Sequence, residues 1–590
     1  MILATTALEE TWGADESLLF LGEWCQLYDR KDTWSNRDFE IVPYHWDDRE
    51  KLKRDYHYLH NLHGSLLEDL SLALNNYHNL DRPVRYWQII IDPWLLTYIA
   101  VIFDRWECLR VAFEEYGSFQ TVELDISSLN DCHPSFAYNE YMNEFKDDFW
   151  NYCLFIDIIN TSYHDKCEFT KVDRLNLLKN AGSLACPKKG GQEIRKKIIG
   201  FIISKLDCIL NHLSKQNPAF FYTSYFPITS LIHLHFSLRQ LPCLLLNEFS
   251  LPKASAVSPD FNSRKKITLN RTAENSFEEY LLNRIYKDIP LIFLEAFQSN
   301  RNKANKMIYR PKAIFTANGH WGNELFKIFA AEQVHNWGVK VITMEHGGAI
   351  PPLFNTMEFE EDIGDIRTTW STPYHHKHVQ IPPNKIVDIK IKSKRKYCGV
   401  VGVELSRYPC RREATPIAGQ ILVHYNMVCE LHHFLNNQVQ KMFRIRPYPD
   451  QGWNTKQRFI DNLGFDKVNS DGTLYEFYSS AKVIVCTYPQ TTFSEAMSSG
   501  LPTILMYPEH LWETRPEFDC LLGILKKAKI VFTDPKSAAY HVNAIWDNPD
   551  QWWNNSEVLA ARESFHQMAC RNDSNWLEQW TAFVKGVIDK

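Results

Sequence analysis

The chain has 590 residues, about four times a common single-domain length, so it needs two or more cores. It is 45% hydrophobic and 23% charged, with only 23 Gly and 27 Pro, which excludes a disordered or collagen-like chain. Its 65 Lys and Arg against 71 Asp and Glu leave a formal charge of −6, without the basic excess of a general nucleic-acid binder.

In chain order, Ile2 to Ala7 reads as a short buried strand, followed by a polar loop and a second apolar run, SLLFLGEWC. From His45 to His78 apolar residues recur at three- and four-residue steps, which predicts a helix. YWQIIID (86–92) reads as a strand and WLLTYIAVIFDRWECLRVAFEEY as a helix; Asp92 and Pro93 break this longest apolar segment, leaving it too short to span a bilayer. Residues 121–215 read as mostly helical, with a Lys/Gly-rich break at 187–197, and short strands are expected at Ala219–Ser224 and Cys243–Leu246. AIFTA (313–317), GNELFKIFAAEQVHNWG (322–338) and VKVITMEHGG (339–348) form a strand–helix–strand unit, hence a right-handed parallel layer. A polar, proline-bearing stretch from Pro351 ends in the basic run IKIKSKRK (389–396). A second series of strands and helices then starts: CGVVGVE, AGQILVHYNMVCELHHFLN, KMFRIRPYP, SDGTLYEFYSSA, KVIVCT, TTFSEAMSSG, LPTILM, KIVFT and PKSAAYHVNAIWDN.

The expected fold is α/β, with two Rossmann-like doubly wound domains facing a cleft and large helical insertions in the first. The expected division is 1–375 for a first domain with helical insertions, 376–396 for a linker, 397–570 for a second Rossmann-like domain and 571–590 for a C-terminal helix, whose crossing back to the first domain is left open. The fourteen cysteines contain no C-x2-C pair, which argues against a zinc ribbon or thioredoxin motif. MILATTALEE lacks the positive start of a signal peptide, so a cytoplasmic protein is expected, with association at the inner face of the membrane left open.

Four places carry candidate chemistry. In VIVCTYPQTTFSEAMSSG a buried strand ends in a polar loop and a helix starts near Thr491 or Thr492. Its amide donors, with the hydroxyls of Thr491, Thr492 and Ser494, are the parts of a phosphate cradle, and Glu495 one turn in suits a ribose or sugar. A plain capping box between Thr492 and Glu495 explains the same residues. In FRIRPYP, Arg444 and Arg446 alternate along a strand and so share a face, suited to clamping an anion or equally to being solvated edge residues. In TMEHGG, Glu345, His346 and Gly347 end a strand, and Asn318 and His320 (with Asn323) follow the preceding one; His346 suits acid–base work, or merely a glycine turn. In TTALEETW, Glu9 or Glu10 could present a general base, while Thr5 and Thr6 before an acidic first turn also make an N-cap. His57 and His60 lack an H-E-x-x-H pattern, His233 and His235 of HLHF fall on one side of an expected strand, and His375, His376 and His378 read as exposed.

LATTALEETW, FLGEWC, MEHGG and the RPYP-to-SEAMSSGLP region together resemble a family of transferases associated with bacterial O-antigen and surface-polysaccharide biosynthesis, over nearly the full length. The second half more distantly resembles GT-B glycosyltransferases, including Kdo- and sialic-acid-type enzymes, in which an R/H-P strand exit and a Ser/Thr-rich helix start with a Glu bind the nucleotide. Here Arg446 and Pro447 match the first element, with Tyr448 following and the usual His absent; Thr491, Thr492, Ser494 and Glu495 match the second. His346 and Gly347 resemble the H-G of capsule and teichoic-acid-type enzymes, and Glu9 and Glu10 lie where such enzymes place a base. The resemblance implies a metal-independent glycosyltransferase without a cofactor, taking a nucleotide-sugar as donor, a CMP-activated ulosonic acid among those admitted. The acceptor would be a glycan or lipid-linked glycan, and no nucleic acid is expected. The alternatives are a non-catalytic carbohydrate-binding or scaffold protein of the same fold, or a sugar-nucleotide epimerase.

Overall fold

The computed structural model describes residues 1–13, 17–124, 134–172, 210–245, 248–251, 257–388 and 391–589. Among these, fifteen strands form three five-stranded sheets. The first contains β1 (Ile2–Ala4), β2 (Leu18–Phe20), β3 (Phe39–Ile41), β4 (Phe119–Leu124) and β5 (Cys167–Val172), in the order β3-β2-β1-β4-β5 with all pairs parallel. Between β3 and β4 run two long helices, α1 (Arg49–His78) and α2 (Val84–Tyr116); α3 (Tyr138–Glu144) and α4 (Asp148–Ser162) follow β4. These are the helical insertions expected of the first half.

The segment read as a strand and a separate helix, broken at Pro93, is one 33-residue helix. Residues 86–109 are almost all buried, so the apolar run has no polar face to reveal a period. Pro93 keeps a helical φ, and the Thr97 hydroxyl donates to its carbonyl at 2.8 Å, tying the turns together there. Among the described residues α2 alone is long and apolar enough to cross a membrane, and 94% of that apolar stretch is buried within the protein. The mostly helical reading of 121–215 holds over 138–166, with β4 and β5 as strands it did not contain, and its break at 187–197 lies outside the described residues.

The second sheet is built from β6 (Ala219–Tyr222), β7 (Ala313–Thr316), β8 (Lys340–Met344), β9 (Ile366–Thr369) and β10 (His378–Gln380), in the order β10-β9-β8-β7-β6. The chain between β6 and β8 carries α5 (Ile228–Ser237), α6 (Ser276–Asp288) and α7 (Glu324–Trp337), the last ending at Gly338 as expected. HLHF lies in α5, where the helical turn exposes His233 and buries His235, so the two do not share a face. No strand forms over the described part of Cys243–Leu246. The stretch read as linker carries β10. His378 is buried there, its Nε2 2.7 Å from Glu361 Oε1, whereas the reading of it as exposed took a polar, proline-bearing segment for a loop.

The third sheet follows the expected series closely. It contains β11 (Tyr397–Val401), β12 (Phe443–Arg446), β13 (Ala481–Cys486), β14 (Thr503–Met506) and β15 (Val531–Phe532), with α8 (Leu422–Phe434), α9 (Leu474–Ser480), α10 (Thr491–Ser498), α11 (Pro535–Ile545) and α12 (Trp576–Ile588). Its order, β12-β11-β13-β14-β15, is parallel throughout. This is a doubly wound order whose direction switches between β11 and β13, and ligands of such sheets bind beyond the carboxyl ends at that switch. The first sheet has its own switch between β1 and β4.

The chain divides into two compact units. One comprises Met1–Gln26, Arg30–Tyr222 and Arg239–Val341; the other comprises Leu27–Asp29, Thr223–Leu238 and Ile342–Lys590. In the first, the buried Arg264 ties down the end of α6: its guanidinium grips Glu295 with two bonds of 2.7 Å and donates to the carbonyls of Tyr286, Lys287 and Ile289. Arg264→Met keeps most of the volume but leaves a carboxylate and three carbonyls without their donor. Urea unfolding should show a loss of about 3–5 kcal/mol.

Candidate functional site

The third sheet delivers β13 as a buried strand whose exit, Thr487–Gln490, leads directly into α10. Gln490 is the N-cap and makes no side-chain cap bond, so the capping box between Thr492 and Glu495 is not what closes this terminus. Instead the first turn of α10 is packed against the loop that leaves β8. A Cβ on Gly347 would lie 2.2 Å from the Thr491 hydroxyl, so only glycine fits at this approach. Ser494 is fully buried and its hydroxyl donates to the Gly348 carbonyl at 2.6 Å. Gln490 Nε2 donates to the Ile350 carbonyl at 3.0 Å, and the Ile350 amide donates to the Pro489 carbonyl. The Thr/Ser-rich helix start and the E-H-G-G loop are therefore one surface in the second unit.

The groups around this surface are specific. Thr491 is half-buried, while Thr492 and Ser494 are buried, so Thr491 is the hydroxyl best presented to a ligand. Glu495 is buried, 2.9 Å from the Lys385 ammonium and 3.3 Å from the Tyr475 hydroxyl that donates to it. The His346 ring stacks on Tyr225, with centroids 5.9 Å apart. Tyr225 and Thr223 both have positive φ (62° and 46°), a conformation that side-chain-bearing residues adopt at some cost. The segment is held from below: Asn384 donates to the Ser224 carbonyl at 2.6 Å and accepts from the Trp370 indole at 3.1 Å. Glu345 accepts the Trp370 amide at 2.5 Å. Burial pushes its carboxyl up to about 7, against the lowering effects of Arg367 and that amide. A group near 7 beside an imidazole is suited to proton transfer at neutral pH. Glu404, just beyond β11, is likewise lifted by burial to about 7; it accepts the Gln451 and Trp453 amides at 2.7 and 3.1 Å and so anchors the loop after RPYP.

The two arginines share a face of β12, as their alternation predicts, but their guanidiniums part. Arg446 donates to the carbonyls of Asp471 and Gly472 at 2.9 and 2.8 Å. Arg444 sits two residues earlier and turns back to the carbonyls of Lys441 and Phe443, at the opposite end of the strand. Arg446 is thus at the carboxyl edge and Arg444 is not. In the first unit, Glu9 and Glu10 lie in a short 3-10 turn after β1, at the switch of the first sheet. Glu9 is 3.3 Å from Arg30 and Glu10 is exposed. Leu8 holds the N-cap position without a side-chain bond, while the Thr5 and Thr6 carbonyls accept the indoles of Trp24 and Trp12. Asn318 is exposed and His320 buried after β7, and Asn323 caps α7. Sequence reasoning missed Tyr225, Lys385 and Trp370. Only PPNK, a cation after two prolines, offered a local signal for any of them.

Among the described residues, two groups of side chains have metal-like composition. His45, Asp104 and Cys108 are buried, and the Asp104 carboxylate already accepts from Tyr44, His45 and Arg105. Glu361, His375 and His378 are joined by Arg367, whose guanidinium lies 2.8 Å from Glu361. A guanidinium at that carboxylate opposes a cation in the second group.

Two outcomes follow. Gly347→Ala should lower stability by roughly 1–3 kcal/mol, because the new methyl meets Thr491, and calorimetry measures it. Glu345 has its folded value raised from 4.5 to about 7. Its contribution to stability is therefore complete below pH 4.5 and is lost as pH rises from there to about 7. Urea midpoints of wild type should fall across that window relative to Glu345→Gln; parallel curves would remove the assignment.

Residues 1–584 match the family described as LIC12162 family transferase. No curated protein matches the sequence. Among solved structures, one described as a UDP-N-acetylglucosamine 2-epimerase from Listeria monocytogenes shares 11% identity over 52% of this chain and 85% of its own, with a TM-score of 0.33. The S. aureus MnaA–UDP co-structure shares 10% over 63% and 96%, with a TM-score of 0.34. Acinetobacter baumannii MurG shares 13% over 50% and 78%, with a TM-score of 0.29.

Proposed function

This chain belongs to the LIC12162 family of transferases, and from that premise we propose that it is a GT-B-type glycosyltransferase. It moves a sugar from a nucleotide-activated donor to a surface-polysaccharide or O-antigen acceptor, without a metal. The observation that carries the reading is the junction of the α10 start with the E-H-G-G loop, beside the switch point of the third sheet. A helix start built there offers amide donors and a positive dipole end to a phosphate.

In this reading the donor phosphate lies at the first turn of α10, with Thr491 donating to it and Arg446 at the carboxyl edge of β12, on the far side of β11. Glu495, held by Lys385 and Tyr475, receives ribose or sugar hydroxyls. The acceptor oxygen attacks the anomeric carbon as the bond from that carbon to the phosphate oxygen breaks. The bonding pair leaves with the phosphate, whose growing charge the helix start stabilises. The acceptor proton passes to a base: Glu10 or Glu9 after β1, or His346 supported by its Tyr225 platform and by Glu345 next to it. The donor class is a nucleoside mono- or diphosphate sugar, with a CMP-activated ulosonic acid among the candidates. The site requires no cofactor, and the protein works in the cytoplasm.

Thermal-shift measurements on the full chain with CMP, UDP and GDP should show stabilisation by at least one. Thr491→Val should weaken that nucleotide by about 10–100-fold, the worth of one hydrogen bond to a charged group. In a transfer assay with the stabilising nucleotide's sugar, His346→Ala should lower turnover at least about 100-fold, a usual general-base contribution. No stabilisation by any nucleotide would sink the reading, and sugar conversion without an acceptor would turn it to an epimerase.

A further inference from the structure

The first unit contains a cavity of about 470 Å³ walled by α3, α4 and α6, within the size range of small-molecule sites. Nothing in the transfer reading uses it. Tyr141 lines it: this residue is 3% exposed and its hydroxyl has no hydrogen-bond partner among the described residues. A buried hydroxyl left without a partner is costly, and such groups are satisfied by water or a ligand. Trp150 meets the Tyr141 ring edge-on at 5.8 Å, and Phe149 and Phe261 add further apolar wall.

The polar wall is largely neutralised. Arg284 holds Asp157 and Asp288 at 2.6 Å each, and the hydroxyls of Tyr280 and Tyr98 donate to the same two carboxylates. Asp147 is spent on the amides of Phe149 and Trp150 at the start of α4. Glu144 accepts the Ser135 hydroxyl, and burial with the neighbouring acids Glu140, Asp288 and Asp147 lifts its carboxyl to about 7. At neutral pH it therefore both gives and accepts hydrogen bonds, as a sugar hydroxyl does. Four acids against Arg284 and Lys287 disfavour an anion. Aromatic rings suit the C–H face of a pyranose, and the carboxyl and phenol groups suit its hydroxyl rim.

We propose that this cavity is a binding site for a neutral saccharide unit, with Tyr141 and Glu144 bonding its hydroxyls and Trp150 forming part of its apolar wall. It stands in the first unit and does not rest on the transfer reading. The test is saturation-transfer NMR on the full-length protein with glucose, galactose and N-acetylglucosamine at millimolar concentration, spermidine serving as the cationic comparison. At least one sugar should bind, and Tyr141→Phe and Glu144→Gln should each weaken it about 5-fold or more, the worth of one hydrogen bond. Tyr141→Phe preserves the ring and its packing; should it not fold, Glu144→Gln carries the test. Nucleotide thermal shifts should be the same in both variants, which separates this site from the donor site. Binding of none of the sugars, equal binding in the folded variants, or binding of spermidine alone would overturn the proposal.

Discussion

The approach of Gly347 and Gly348 to the first turn of α10 is the constraint on which the candidate site depends. A side chain at either position collides: with Thr491 at the first, with the Glu345 carboxylate at the second. Because the backbone can come this close, the buried Ser494 hydroxyl reaches the Gly348 carbonyl and fastens two distant stretches of chain together. The consequence is positional. Glu345 and His346 are delivered to the same place as Thr491 and Glu495, and each group's surroundings are decided by that delivery.

Burial then sets the chemistry. Glu345 lies near Arg367, yet its carboxyl is raised, because loss of water outweighs the attraction of a guanidinium already engaged with Glu360 and Glu361. Glu361, gripped directly by Arg367 and His378, is pulled below the usual carboxylate range although it too is buried. Two glutamates in one unit thus lie on opposite sides of their ordinary value. What separates them is whether a cation touches the carboxylate or stands further off.

The alternation in FRIRPYP correctly placed Arg444 and Arg446 on one face, because pleating obliges it. It could not show where long side chains end. Two positions along a strand are about 6.6 Å apart, and each guanidinium took the carbonyls nearest its own end. The merger of YWQIIID with its neighbour into α2 was illegible for a different reason. A run buried on every side carries no period, and the choice between strand and helix was made by packing rather than by pattern. His378 makes the converse point: in a polar, proline-bearing stretch it looked exposed, but a carboxylate and an arginine from nearby elements gave it a buried partner.

By itself the sequence determined the second half almost element by element. Its strands are short, apolar and bounded by turn residues, and local forces with the parallel-crossover rule place them, while the helices Thr455–Leu463, Asp519–Lys527 and Ser556–Met568 lie outside the expected series. It also determined that Thr491, Ser494 and Glu495 open a helix after a buried strand, and that Glu345–Gly348 leave another. Only the tertiary structure decided that these two exits are one surface, that Tyr225, Lys385 and Trp370 complete it, and that Arg444 turns away. The contacts of Gly347 with Thr491, Gly348 with Ser494, His346 with Tyr225 and Glu495 with Lys385 join residues more than a hundred positions apart, where no periodicity reaches and only close packing can choose.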